Sequence, residues 1–600
     1  MTTTSNRRPD PGGMGTEAIL LLIGVLIVVI GGGTLYAAVR LGHQIDGSAE
    51  GLPSDPYELI FGLFSGKVSW PAAGAWILAA AAVLVLALVL LFVLAWRKGR
   101  KKASRVDRAA SVMGSGRDIE PLSRRNAAAA ATRWSISAAA VGVPLGCTVR
   151  DGQPLVSSWE DMLLLIAGPR TMKTTSFAVP AILEAPGAVM VTSNKRDVAD
   201  ATREVRAERG PVWVFDPQQI VGEEPTWWWN PLSYVTDETK AANLAEHFAA
   251  GSREQGARTD PHFEENGQDL LAGALLAAAL DGRPITDVYT WLTRPSDTTP
   301  AEIVRQHGYA LIADQFEGMV LAPDKERGSI FSTARRMASC LTFGSVHPWV
   351  TPRNGGYDSR PQFDPAEFVR SGGTLYSLSK EGKGTSGPLV TALTVAVVEA
   401  GEELAKQSAF GRLSVPMLGV LDEAANVCRW RELPNLYSHY GSRGIVLMTI
   451  LQSWSQGVDV WGESGMNKLF SAANVFIYGG GVREERFLES LSKIIGDYDR
   501  VASSTSTGHG HRTVSRQLVR HRILDVDELA ALPKGRAIVL ASGARPTLIR
   551  TQPWMTGPHA EAVKASIAVH DPQASRTLDE VQTELAQVAT ADRSRGADAL

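Results

Sequence analysis

Short runs of uninterrupted apolar residues recur along the chain at Met162–Ile166, Val189–Thr192, Val212–Phe215, Thr374–Leu378, Leu418–Leu421, Ile445–Leu451 and Val475–Tyr478. A strand with one wet face alternates apolar and polar side chains, so unbroken runs of this length predict strands covered on both faces. Helical stretches separate them, and the alternation predicts a mostly parallel α/β core. Between Thr236 and about Arg370 the strand signal fades. Leu270–Leu280 and Ile330–Leu341 there carry helical spacing, which predicts a compact all-α insertion. From His559 onward the chain turns polar and charged, predicting a short helix and then a flexible tail.

Two longer apolar segments precede the core, Ala18–Val39 and Ala72–Trp96. Each is long enough to span a hydrocarbon layer of roughly 30 Å, and the first exceeds the apolar core of a cleaved signal peptide. The second runs into Arg97-Lys98-Gly99-Arg100-Lys101-Lys102, with Arg105 and Arg108 beyond, whereas the loop between the two carries few Lys or Arg. Positive charge marks the cytoplasmic side, so two transmembrane helices are expected with both the N-terminus and the large C-terminal body in the cytoplasm. The basic run then serves as a topology anchor, or touches anionic lipid or nucleic acid.

Composition changes this picture little. Six hundred residues exceed what one core supports, so two or three domains plus appendages are expected. The net charge of -3 leaves nucleic-acid binding open, because local patches decide it. Cys147, Cys340 and Cys428 are scattered without a C-x-x-C spacing and read as reduced residues of a cytosolic body. His509 and His511 have no neighbouring acids or cysteines and make a poor metal site.

The chemistry concentrates at the ends of two predicted strands. Met162–Ile166 runs into Ala167-Gly168-Pro169-Arg170-Thr171-Met172-Lys173-Thr174-Thr175, and the helix-like Ser176–Glu184 follows. Strand, tight loop, Lys-Thr and helix form the plan of a phosphate-cradling loop, in which backbone N–H groups surround phosphates and the lysine reaches the outer ones. Ala167 and Met172 stand where the pattern G-x-x-x-x-G-K-[ST] has its two glycines, and methionine lacks glycine's conformational freedom. Pro416–Leu421 delivers the adjacent acids Asp422 and Glu423, one placed to support a magnesium ion and the other to activate water against a nucleoside triphosphate. Trp227-Trp228-Trp229 stands at the entry to the helical region and reads as a wedge between domains or a base-stacking group.

The ordered set of motifs resembles the type IV coupling proteins, the TraG/TraD-like ATPases of conjugative DNA transfer. The resemblance rests on the two apolar segments, the loop 167–175, Ser193-Asn194-Lys195-Arg196-Asp197, Phe215-Asp216-Pro217, the helical insertion, and Leu421-Asp422-Glu423-Ala424-Ala425-Asn426. It continues through Ser442-Arg443-Gly444, Gln452-Ser453, Asp527-Glu528-Leu529 and Leu532-Pro533-Lys534-Gly535-Arg536-Ala537. It implies an α/β, RecA-like P-loop NTPase core with an all-α insertion domain, preceded by two transmembrane helices. The corresponding partition is a cytoplasmic N-terminus (1–17), the two spans (18–96, extracytoplasmic loop 40–71) and a basic linker (97–133). The NTPase domain then falls in two parts (134–235 and 371–556) around the insertion (236–370), before a polar flexible tail (557–600).

The same resemblance implies a homo-hexamer in the inner membrane that uses ATP and Mg2+ to pass single-stranded DNA with its relaxase to a type IV secretion channel. In it Lys173 neutralises phosphate charge, Thr174 and Asp422 hold Mg2+, Glu423 polarises the attacking water, Gln452 senses the outer phosphate and Arg443 reaches a neighbouring subunit's nucleotide. Lys195 and Asp197 are expected near the nucleotide or a subunit interface, and the Arg-rich stretch Ser503–Arg522 in a pore or subunit-facing loop. Alternatives are a non-hydrolysing docking receptor for a relaxase or effector protein, to which the substituted P-loop points, and an FtsK-like double-stranded DNA translocase.

Overall fold

The computed structural model describes residues 16–48, 52–53, 55–99, 104–137, 140–253, 260–353, 358–382, 384–508 and 511–594, without the side chains of 16–30, 64, 85, 88–89, 91–99, 502–508, 511–516 and 590–594. The chain divides into two compact units. One comprises Arg105–Gly496 with Arg522–Val588, the other Met1–Ser104, Asp497–His521 and Ala589–Leu600.

The larger unit is built on an eleven-stranded sheet. In chain order its strands are β1 (Val143–Thr148), β2 (Pro154–Ser157), β3 (Leu163–Ile166), β4 (Val189–Ser193), β5 (Val212–Phe215), β6 (Thr374–Leu378), β7 (Met417–Leu421), β8 (Ile445–Leu451) and β9 (Val475–Tyr478). After the hairpin β10 (Asp497–Gly508) and β11 (His511–Arg522), which lies outside this sheet, come β12 (Arg536–Ala541) and β13 (Thr547–Arg550). The spatial order is β2-β1-β13-β12-β9-β3-β8-β7-β4-β6-β5. From β9 to β5 all pairings are parallel. Every residue of β3, β4, β6, β7, β8 and β9 is buried. The seven uninterrupted apolar runs are these seven parallel strands; in six of them burial on both faces removes the polar alternation of an exposed strand, and the edge strand β5 is half-buried. The antiparallel flank of β12, β13, β1 and β2 gave no such signal; β1 and β2 are short, contain proline or glycine and are partly exposed.

Among the described residues, the chain between β5 and β6 is helical, including Glu238–Ser252, Pro261–Leu280, Ile285–Leu292, Ala310–Val320 and Asp324–Met337. Trp227, Trp228 and Trp229 are buried at its entry. The Trp227 ring meets Trp213 at 5.3 Å and Trp349 at 5.8 Å, so it packs as a wedge and is closed to bases. The short helix expected after His559 is Ala560–His570; where the polar stretch 557–600 is expected to continue as a flexible tail, the described residues form a second helix, Ala574–Ser594. Sparse apolar positions account for the difference. Trp554, Val563 and Ile567, with Leu578 and Val581, pack on Val179, Leu183, Ala201 and Val205.

In the smaller unit, helices Thr16–Ile45 and Ala72–Gly99 coincide with the two expected spans. Among the described residues no helix is long and apolar enough to cross a membrane. The two expected transmembrane helices are therefore not found there: the side chains of much of each segment, among them 16–30 and 91–99, lie outside the described residues, and about 20 apolar residues are needed for a crossing. The N-terminal residues 1–15 and part of the basic linker, 100–103, also lie outside them. The Arg-rich stretch Ser503–Arg522 falls on the hairpin β10–β11, and most of its side chains, with His509, lie outside the described residues.

Candidate functional site

The C-terminal ends of parallel strands in a doubly covered sheet are where ligands bind, since loops and helix N-termini converge there. Here β3 and β7 are separated by one strand, β8, so three strand ends face one point. β3 delivers the loop 167–175. The Ala167 N–H donates to the Leu451 carbonyl at 3.0 Å, and the Gly168 N–H to the Gly480 carbonyl at 2.9 Å, which seats the loop on the turn after β9. That turn approaches so closely that a Cβ on Gly168 would lie 2.2 Å from the Gly481 carbonyl oxygen. The Thr171 hydroxyl closes the loop by donating to the Gly168 carbonyl at 2.7 Å.

Met172 adopts φ 68 and Arg170 φ 59, the left-handed region that glycine ordinarily fills. Met172 thus takes a backbone conformation that glycine adopts freely, at a cost of about 1–2 kcal/mol, and its side chain is buried. Its carbonyl accepts the Ser176 N–H at 2.9 Å and so starts the helical turn that carries Lys173, Thr174 and Thr175.

At the end of β7, Glu423 is also left-handed, φ 54 and ψ 41, which turns its side chain back toward the loop. Lys173 Nζ pairs with Glu423 Oε1 and lies 3.9 Å from Asp422 Oδ1. Gln452, the residue after β8, donates its amide to both Glu423 oxygens at 2.8 and 2.7 Å. Asp422 and Glu423 are about 95% buried (4% and 5% exposed). Burial pushes the Asp422 carboxyl up to about 7; the Lys173 ammonium opposes the rise, and the Glu423 and Asp197 carboxylates add to it. Asp422 Oδ1 has no hydrogen-bond partner among the described residues. A buried carboxylate oxygen without a hydrogen-bond partner, at the strand end that faces the loop carrying Thr174, fits a hard divalent cation such as Mg2+.

The structure therefore brings together Lys173, Asp422, Glu423 and Gln452, with Thr174 and Thr175 on the adjoining turn. Lys195 and Asp197 stand beside that turn, lining a cavity with Thr174 and Thr175. Arg443 is not brought to the site. It precedes β8, at the opposite end from Gln452, and its Nη1 lies 2.9 Å from Glu402 Oε1. The sequence reading missed the shelf at Gly480 and Gly481, although the triplet Gly479-Gly480-Gly481 is itself a turn signal.

Residues 416–534 match a family model described as the TraM recognition site of TraD and TraG. The chain is 24% identical over 409 residues to the conjugal transfer protein TraG of Agrobacterium fabrum (strain C58), covering 64% of this chain and 58% of that protein. It is 21% identical over 411 residues to the probable conjugal transfer protein TraG of Sinorhizobium fredii (strain NGR234), covering 64% of this chain and 60% of that one. The chain thus spans less than two thirds of the length of either relative. Among solved structures, the unbound bacterial conjugative coupling protein TrwBdeltaN70 superposes with a TM-score of 0.50 at 17% identity, covering 68% of this chain and 88% of that one. In sequence and in fold the chain is similar to type IV coupling proteins, and its fold is of the P-loop NTPase-like α/β kind.

Proposed function

We propose that the chain is a membrane-anchored, RecA-like ATPase that couples a DNA–relaxase substrate to a type IV secretion channel and drives single-stranded DNA transfer. The observation that carries this reading is the convergence of Lys173, Asp422, Glu423 and Gln452 at three neighbouring strand ends. The relatives' printed names supply conjugal transfer. Anchoring in the inner membrane rests on the apolar segments 18–39 and 72–96, and a hexameric ring on the family resemblance.

In the mechanism that follows, the loop N–H groups and Lys173 take up the charge of the outer phosphates of ATP. Thr174 and Asp422 would hold Mg2+, which would supply charge neutralisation on those phosphates. Without nucleotide, Lys173 is engaged by Glu423, so phosphate binding draws the ammonium away and frees the carboxylate. Glu423 then accepts a proton from the attacking water, while the Gln452 amide keeps it oriented. The Walker A loop is degenerate at Ala167 and Met172, yet the left-handed Met172 leaves the loop its ordinary course, which favours hydrolysis over a docking-only receptor. Arg443 acts, in this reading, on a neighbouring subunit's nucleotide after release from Glu402.

ATP hydrolysis by the purified chain, with and without single-stranded DNA, tests the proposal. Turnover stimulated by DNA and lost in Glu423→Gln is expected; turnover no greater than in that variant refutes it.

A further inference from the structure

A cavity of about 1020 Å³ opens beside the P-loop helix. It starts at Thr174 and Thr175, and Lys173, Asp422 and Glu423 do not line it. The second C-terminal helix and the loop before it contribute Gln573, Arg576 and Thr583 to its lining, and Trp554 lines it too. This lining is held in place. Ser566 Oγ donates to the Asp200 carbonyl at 2.6 Å, and the Arg196 guanidinium reaches the His570 carbonyl at 2.6 Å. Trp554, Val563 and Ile567 are buried against Val179 and Leu183 of the helix that the P-loop begins. The loop between the two helices is stapled by Asp571, which accepts the Gln573 N–H at 2.8 Å and the Thr577 hydroxyl at 2.5 Å.

Resting on the nucleotide reading above, we propose that this cavity receives the nucleoside of the bound triphosphate, and that the C-terminal helices form its recognition wall. The direction of the ligand carries the inference. The ammonium and the two acids mark the outer-phosphate end at Lys173. Thr174 and Thr175 follow on the next part of the turn and open directly into the cavity. A triphosphate seated on Lys173 to Thr175 therefore points its other end away from Glu423 and into this space. The volume is at the upper end of the roughly 300–1,000 Å³ of small-molecule sites. The lining suits a base and a ribose: an indole edge and aliphatic side chains for the ring, with an amide, a guanidinium and carboxylates for its polar rim. The helices after Trp554 thereby become part of the nucleotide site.

Two exposed lining positions test this without disturbing the core: Thr583→Trp and Gln573→Trp each add bulk to the cavity. Isothermal titration of the full chain is run with MgATP and with magnesium tripolyphosphate, which has phosphates and no nucleoside. Each variant is expected to weaken MgATP by about ten-fold or more while tripolyphosphate stays within about two-fold of wild type. Unchanged MgATP affinity in both variants, or equal loss for both probes, overturns the proposal. A wild-type chain that binds neither probe instead overturns the P-loop reading on which it rests.

Discussion

The Asp422 carboxyl sets a pH dependence of the nucleotide-free protein that can be worked through. Its folded-state pKa is raised from 3.8 to about 7, chiefly by burial. Below pH of about 4 the group is protonated in folded and unfolded chains alike and contributes nothing to the difference between them. Between about 4 and 7 the unfolded chain releases its proton while the folded chain keeps it, so stability falls as pH rises. Three pH units at about 1.36 kcal/mol each give roughly 4 kcal/mol, lost in full above the folded pKa. Asp422→Asn cannot ionise and should escape this loss. Calorimetric melting of wild type and variant across pH 5 to 8 should show a stability gap that widens by roughly 1 kcal/mol per unit up to about pH 7 and then levels off. Parallel curves with a constant gap would refute the assignment of a buried, proton-holding Asp422. The same titration bears on function, because the ionised form is the one suited to a divalent cation.

The remaining predictions concern single side chains. Glu423→Gln should retain nucleotide binding and lose about 10²–10⁴ in kcat, as measured by steady-state hydrolysis beside nucleotide titration. Gln452→Ala removes both amide contacts to Glu423 and should lower kcat with little change in KM; a pure KM effect would contradict its positioning role. Gly168→Ala places a methyl 2.2 Å from a backbone oxygen and should destabilise the protein by about 1–3 kcal/mol in thermal melts, whereas Ala167→Gly should stay within about 1 kcal/mol. Arg443→Ala should leave nucleotide affinity intact and, where the chain is assembled, reduce hydrolysis by about 10³-fold or more. Equal rates in wild type and variant would return Arg443 to a surface ion pair with Glu402.

The placement of seven strands was readable in advance because six of them are buried on both faces and β5 is half-buried, and a run such as Ile445–Leu451 carries that burial in its own composition. Lys173 and the pair Asp422-Glu423 were readable for a related reason: chemistry at a strand end follows a local pattern of strand, loop and charge. The flanking strands β1, β2, β12 and β13 were not: β1 and β2 are short and partly exposed, and the pairing of Cys147 with Arg550 that joins the two hairpins spans about 400 residues. The short helix after His559 was expected; the second C-terminal helix, Ala574–Ser594, was not, because its apolar positions are few and gain meaning only in the cluster around Val179 and Leu183.

By itself, then, the sequence determined the seven parallel strands and which residues carry charge at their ends, because burial and motif spacing are local properties. The tertiary structure alone decided that β8 lies between β3 and β7, which sets Gln452 against Glu423. It also decided that Met172 and Glu423 take left-handed backbones despite their side chains. Strand order and positive φ are imposed by packing between segments hundreds of residues apart, and no local propensity encodes either one.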